Sequence, residues 1–439
     1  MPDSLSLIPC GPVRGSICPP GSKSITNRAL VCAALAEGVS TLSGALDSED
    51  TQVMIDSLHR LGISVERQDD GKHLIVAGCG GNIPASQANL FVGNSGTTIR
   101  FLTAMLALGH GTYKLSGVSR MHERPIADLL TALNQLGADV RTETNAGCPP
   151  VVVQANGLAG GKATIRGDIS SQFLSGLLMA APLAKGNVEL TVEGELVSKP
   201  YVTMTVGVMR KFGVEAHLSG LSRFLIAGQQ SYKACEYQIE PDASAASYFW
   251  GLAAATGGEV TVEGLDRQPI QGDVAFVSCL EKMGCRVTYD TRGIIVAAPS
   301  APLRGIDIDM NAISDTAQTL AVVALFAEGP TTIRGVAHIR HKETDRIGDL
   351  ARELRKLGAT VDELPDGLRI IPGPLHGAEI ETYSDHRMAM SFAIAGMNIP
   401  GIVIRNPACT AKTYPRFFED LSRLAAASTR RDSPRGRGG

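Results

Sequence analysis

The chain has 439 residues, 44% hydrophobic and 19% charged, the balance of a globular enzyme and more than one hydrophobic core usually supports, so two domains are expected. A net charge of −3 excludes a global pull toward nucleic acid or membrane, so any anion site must be a local concentration of Lys and Arg. Nine cysteines, an odd number without a C-x-x-C pair, argue against a disulfide framework or a zinc site and suit a reducing compartment.

Met1-Pro2-Asp3-Ser4 is not a basic region followed by an apolar stretch, so no signal peptide is read, and apolar runs such as 173–184 are too short to span a membrane. A short strand at 5–8 precedes a stiff turn at Cys18-Pro19-Pro20-Gly21. One pattern then recurs. A polar motif opens an apolar helix, a Gly precedes a β-branched strand, and a second helix closes before another strand. The Gly stands at 38, 111, 186, 258, 329 and, more loosely, 401, a period of about 72 residues. The closing pairs are Leu61-Gly62, Leu136-Gly137, Phe212-Gly213, Met283-Gly284 and Leu357-Gly358, and the sixth copy stops near Leu421. Ala- and Leu-rich runs at 29–36 and 319–327 read as helix, and β-branched runs at 188–192, 260–262, 331–333 and 402–404 as strand. The alternation gives an α/β (α+β) class.

Six units over two domains suggest three in each. The segment 229–237 lacks apolar periodicity, so one crossing is placed at 232–241 and a second before Gly21. The expected domains are 22–240, and 1–21 joined to 241–427. The remainder, 428–439, reads as a disordered basic tail, short and without the aromatics of single-strand binders.

The six opening motifs are Gly21-Ser22-Lys23-Ser24, Gly93-Asn94-Ser95-Gly96-Thr97, Ser170-Ser171-Gln172, Asp242-Ala243-Ser244, Ser314-Asp315-Thr316 and Ser384-Asp385-His386-Arg387. Ser, Thr, Asp and Asn there are also ordinary N-caps. That reading leaves Lys23, Arg28, Arg100, Gln172, His386 and Arg387 unexplained, whereas helix N-termini with added cations bind phosphates and carboxylates. Further charged motifs, His122-Glu123-Arg124-Pro125, Ser198-Lys199-Pro200-Tyr201, Lys342-Glu343-Thr344-Asp345-Arg346 and Thr410-Ala411-Lys412, bring in Arg124, Lys342, Arg346 and Lys412. Residues 342–346 also fit a helical ion-pair ladder. Acid–base candidates are Asp315, Glu343, His386, Asp242 and Asp385, with Lys23 a proton carrier if surrounding cations lower its pKa. There is no P-loop, H-E-x-x-H or G-x-G-x-x-G motif, and Cys409 near Lys412 reads as an inert thiol.

At these motifs, with Asn27-Arg28-Ala29 and Asp385-His386-Arg387-Met388-Ala389-Met390 added, the sequence resembles the 5-enolpyruvylshikimate-3-phosphate synthases, in order and over nearly the whole chain. The resemblance implies six βαβαββ units in two three-unit domains around an interdomain cleft. It implies transfer of the enolpyruvyl group of phosphoenolpyruvate to the 5-hydroxyl of shikimate 3-phosphate, with release of phosphate. Shikimate 3-phosphate would be held by Lys23, Ser24, Arg28, Ser170, Ser171, Gln172, Ser198, Tyr201, Asp315, His338 and Lys342. Phosphoenolpyruvate would be held by Lys23, Asn94, Gly96, Arg124, Gln172, Arg346, His386, Arg387 and Lys412. Asp315 would take the hydroxyl proton, and Glu343, with Lys23, would protonate the methylene carbon. No metal, cofactor, nucleic-acid or membrane partner is implied, and the expected state is a cytoplasmic monomer. Two residues depart from the pattern: His338 where relatives often have Asn, and Phe101 where many have Pro, close to where glyphosate competes with phosphoenolpyruvate in sensitive members. The rivals are the enolpyruvyl transferase acting on a UDP-N-acetylsugar, whose reactive loop Cys is missing from 117–125, a non-catalytic binder of the same anions, and a scaffold with no use for so many cations.

Overall fold

The computed structural model describes residues 2–144 and 146–432. The chain forms two compact units, one of Gly21–Glu240 and one assembled from the segments on either side, up to Pro20 and from Pro241 onward. The fold is of mixed helix and sheet, and each unit is built the same way.

In the unit of Gly21–Glu240, three four-stranded sheets share one plan. A parallel pair is extended by an antiparallel hairpin: Gln87–Phe91 beside His110–Ser116, for example, followed by Val151–Asn156 and Asp139–Thr142. The other unit repeats the plan in two four-stranded sheets. One uses Arg14–Ile17 as the parallel edge of Glu259–Glu263, in the register Val260↔Gly15. A three-stranded sheet pairs Val403–Arg405 in parallel with Glu379–Ile380 and antiparallel with Ser4–Ser6. The N-terminal segment thus lends one strand to each of two sheets of this unit.

The sheets enclose helices that have no polar stripe. Every residue of Gly96–Leu106 and of His386–Gly396 is buried, as are most of Lys23–Leu35, Ser171–Ala180 and Ala243–Thr256. A helix buried on all sides belongs inside a core, and small residues let such helices approach. A Cβ on Gly251 would lie 3.0 Å from Val323, on the neighbouring helix Ala317–Val323. The closing Leu-Gly pairs end their helices in the left-handed region. Gly137 has φ +88°, its N–H bonds Asn134 O and the following Ala138 N–H bonds Leu133 O, which satisfies carbonyls the helix Ala127–Gln135 leaves open.

Some bounds differ from expectation. The apolar run 319–327 is α-helix only as far as Val323, tightens to a 3-10 turn at Ala324–Phe326, and Ala327–Glu328 pairs with Leu303–Arg304 as strand. Gly329-Pro330 follows, and Pro cannot continue a helix. The first strand is Ser4–Ser6 rather than 5–8, and Ile8 before Pro9 is exposed. The last helix, Phe417–Asp432, runs past Ser428, where the basic tail was expected to begin; 433–439 lie outside the described residues.

Candidate active site

In the unit of Gly21–Glu240 the opening motifs are both caps and anchors for cations. Ser22, Ser95 and Ser170 each accept a backbone N–H at the start of Lys23–Leu35, Gly96–Leu106 and Ser171–Ala180. Lys23 and Ser24 form the first turn, and the Lys23 ammonium lies 3.6 Å from the buried Asp50 carboxylate. One turn on, Arg28 is 1% exposed. Its Nε donates to Thr205 Oγ1 at 2.7 Å, Nη1 to Ser24 O at 2.9 Å and Nη2 to Ser175 Oγ at 3.2 Å. The guanidinium lies 5.1 Å from the Phe101 ring and 5.9 Å from that of Tyr201. Burial pulls its pKa down to about 10, against a smaller upward pull from Tyr201. A buried cation with only neutral contacts among the described residues calls for an anion.

Arg100 and Arg124 converge on Gly96. Arg100 Nη1 donates to Gln172 Oε1 at 2.6 Å and Nη2 to Pro125 O at 3.0 Å. Arg124 Nη1 donates to Asn94 O at 2.9 Å and Asn94 Oδ1 at 3.1 Å. A Cβ on Gly96 would fall 2.4 Å from Arg124 Nη2, so only Gly leaves the guanidinium in place. Ser198, at φ +52°, starts the helix Lys199–Lys211 that carries Tyr201. Contacts in this unit join Ser24, Arg28 and Tyr201 in one group and Asn94, Gly96, Arg100, Arg124 and Gln172 in another, while Lys23, Ser170, Ser171 and Ser198 stand at the starts of their helices.

The other unit gathers Asp315, His338, Lys342, Glu343, Arg346, His386, Arg387 and Lys412. Arg346 is its hub, with Nε 2.6 Å from Asp385 Oδ2, Nη1 3.3 Å from Asp315 Oδ1 and Nη2 2.7 Å from Glu343 Oε2. Burial alone would weaken its charge, but the carboxylates of Asp385, Glu343 and Asp315 outweigh burial and hold it above its ordinary value. Arg387 Nη2 reaches Asp315 Oδ2 at 2.7 Å and its Nη1 meets Tyr248 OH at 3.3 Å. Lys342 stands 3.9 Å from Asp315, and Lys412 3.7 Å from Glu343. Two histidines are neutral here. Burial, helped by Lys342, brings His338 down to about 3, with its Nε2 2.8 Å from Ser314 Oγ. Burial and Arg387 push His386 well below its usual range, and among the described residues neither ring nitrogen has a hydrogen-bond partner, though Nδ1 lies 3.6 Å from Asp385 Oδ1.

One sequence reading changes. Residues 342–346 are not a helical ladder: they form a loop between the 3-10 turn Ala337–His341 and the helix Gly348–Lys356, whose first amides are capped by Asp345 Oδ1. Lys23 pairs with a carboxylate, Asp50, at 3.6 Å.

Against this geometry, the family model for EPSP synthase (3-phosphoshikimate 1-carboxyvinyltransferase) matches residues 8–421. The chain belongs to the EPSP synthase family. The 3-phosphoshikimate 1-carboxyvinyltransferase of Nostoc punctiforme is 52% identical over 407 residues, covering 93% of this chain and 95% of that protein. The chloroplastic enzyme of Brassica napus is 48% identical, covering 95% and 84% respectively. The solved EPSP synthase of Acinetobacter baumannii superposes with a TM-score of 0.80 at 28% identity, covering 96% and 98%.

As a family member the chain is a transferase, and several of its supporting residues carried no readable signal. Thr205 and Ser175 hold Arg28, and Tyr248 touches Arg387 from 139 residues away. Asp385 grips Arg346 besides capping its own helix; its place in a motif marked it as an acid–base candidate, but not as a partner for Arg346.

Proposed function

We propose that the chain joins phosphoenolpyruvate to the 5-hydroxyl of shikimate 3-phosphate, with Asp315 accepting the hydroxyl proton and Glu343, together with Lys23, delivering a proton to the methylene carbon. Attack of the hydroxyl oxygen on C2 of the protonating enol ester gives a tetrahedral intermediate. Glu343 then takes a proton back from the methyl carbon as Asp315 passes its proton to the departing phosphate, which restores the double bond. The observation that carries the reading is Asp315, whose two oxygens lie 3.3 Å from Arg346 and 2.7 Å from Arg387. Two guanidinium groups beside one carboxylate place the proposed base next to groups that would receive an anionic substrate.

In this reading Lys23, Ser24, Arg28, Ser170, Ser171, Gln172, Ser198, Tyr201, His338 and Lys342 hold shikimate 3-phosphate. Asn94, Gly96, Arg124, Arg346, His386, Arg387 and Lys412 hold phosphoenolpyruvate, with Lys23 and Gln172 adjoining. The His386 imidazole, whose ring nitrogens make no hydrogen bond among the described residues, supports its place in that set, since a buried neutral ring N–H is completed by an anionic oxygen. The cations offset the repulsion between two multiply charged substrates. We assign no metal or cofactor, and a cytoplasmic monomer acting on small molecules rather than nucleic acid or membrane; no helix among the described residues is long and apolar enough to cross a membrane.

The test is phosphate release by the purified chain with both substrates, and with each alone. Release that needs both is expected. Saturable binding of shikimate 3-phosphate without release would replace the reading with a binder or with a transferase for another acceptor.

A further inference from the structure

The helix that presents His386 and Arg387 is entered through an unusual turn. Tyr383 and Ser384 both lie in the left-handed region, at φ +52° and +55°. Two successive non-glycine residues there persist only where their surroundings over-determine them. The next residue is Asp385, which caps the helix through Arg387 N–H at 2.8 Å and takes the Arg346 guanidinium at 2.6 Å. Any relaxation of the turn therefore moves the carboxylate that orients Arg346 and the helix end that carries Arg387.

What restrains the turn is a carboxylate with no part in the chemistry above. Glu353, on the helix Gly348–Lys356, is 0% exposed. Its Oε1 accepts the Tyr383 hydroxyl at 2.6 Å. Its Oε2 accepts Glu381 N–H at 3.0 Å and the Lys356 ammonium at 2.7 Å. Arg352 closes the arrangement, donating to Tyr383 OH at 3.0 Å. Glu381 continues it, accepting the amides of Thr382 at 3.1 Å and Tyr383 at 3.2 Å on its own carboxylate. A fully buried carboxylate carrying this many bonds is costly unless each is made. All but the Lys356 bond end on the backbone or side chain of residues 381 and 383.

We propose that Glu353 is a positioning residue for the transfer reaction: it clasps the 381–384 turn and through it fixes Asp385, and with Asp385 the aim of Arg346 and Arg387. The kinetic part rests on the function proposed above; the structural part does not. The effect falls on the phosphoenolpyruvate side, because both arginines belong to that set.

The test uses the full chain with Glu353→Gln, which keeps the volume and removes the charge, and Tyr383→Phe, which removes one hydroxyl. Amide hydrogen exchange across 381–388 is expected to quicken roughly tenfold in Glu353→Gln and about threefold in Tyr383→Phe, with the helix Lys23–Leu35 unchanged. KM for phosphoenolpyruvate is expected to rise by about the same factors, with KM for shikimate 3-phosphate within about twofold, a split that general loosening of the fold does not produce. Wild-type exchange across 381–388 in both variants, or an unchanged KM for phosphoenolpyruvate in both, overturns the proposal. Should Glu353→Gln fail to fold, Tyr383→Phe decides by the same readouts. Absence of turnover in the wild-type chain sinks the proposed function instead, and the exchange readout still decides whether Glu353 holds the turn.

Discussion

Asp315 sits between two guanidinium groups and a lysine, so its charge holds these cations, and in the proposed reaction it is also the group that takes the hydroxyl proton. Asp315→Asn keeps the shape and removes the basicity. We expect kcat to fall by about 10²–10⁴-fold with each KM within about threefold; a steady-state assay showing weak binding and normal kcat would remove Asp315 from the proton-transfer step. His338 makes a prediction about stability. Its folded-state value, brought down by burial to about 3, lies below the ordinary histidine value of 6.5, so between those values the unfolded chain binds the extra proton and stability falls as pH drops. Each pH unit costs at most about 1.4 kcal/mol for this group. His338→Asn removes that contribution and is expected to flatten the fall between pH 6.5 and 4.5 by about 2–3 kcal/mol in denaturant titrations; equal slopes would show that His338 is not held neutral. The cations of the site were legible as residues because they stand in short local motifs. Their partners were not: Thr205 under Arg28, Tyr248 on Arg387 and Asp50 on Lys23 are chosen by the packing of distant helices, which leaves no mark in the local pattern.

At the scale of the element, the helix Gly96–Leu106 separates function from stability. A Cβ on Gly96 meets Arg124 Nη2 at 2.4 Å and Arg100 Nη1 at 3.0 Å, the far ends of flexible side chains and not backbone. Gly96→Ala should therefore displace Arg124 without breaking the helix, and Ala is the better helix former by up to about 1 kcal/mol. KM for phosphoenolpyruvate is expected to rise about tenfold, with Tm equal to or above wild type and KM for shikimate 3-phosphate unmoved; a drop in Tm would mean that the helix, and not Arg124, absorbs the added methyl. The departure at Phe101 also has a physical role: its ring lies fully buried against Arg28, a contact that no proline could make in the same way. Element positions followed from the sequence where local rules decide them, as with the Ser22, Ser95, Ser170, Asp242 and Asp385 caps and the Gly137 helix stop. They failed where tertiary pairing decides. Ala327–Glu328 continues an Ala- and Leu-rich run yet becomes strand because Leu303–Arg304 lies beside it, and 342–346 has helical charge spacing yet is drawn into a loop by its contacts with Asp315, Asp385 and Lys412.

At the scale of the whole chain, the two units differ in how they are threaded. One is the continuous segment Gly21–Glu240; the other needs the segment before it, whose Val13 and Ile17 lie in its core and whose Arg14 N–H donates to Ser428 Oγ at 2.8 Å while the same hydroxyl donates to Arg14 O at 3.1 Å. A fragment of residues 21–240 is therefore expected to melt cooperatively on its own, whereas 241–432 is expected to melt without a sharp transition until the N-terminal segment is supplied as a peptide or joined behind residue 432. A cooperative transition in 241–432 alone, by circular dichroism and calorimetry, would show that the two borrowed strands are dispensable. The borrowed strands also set a timetable for synthesis. Arg14–Ile17 leaves the ribosome ~240 residues ahead of the strand it pairs with, Glu259–Glu263, and Ser4–Ser6 ~400 ahead of Val403–Arg405. At the usual ~5–20 residues per second, those strands wait on the order of tens of seconds for a partner. The continuous unit has time to fold in that interval, so these early strands are among the last to find their place.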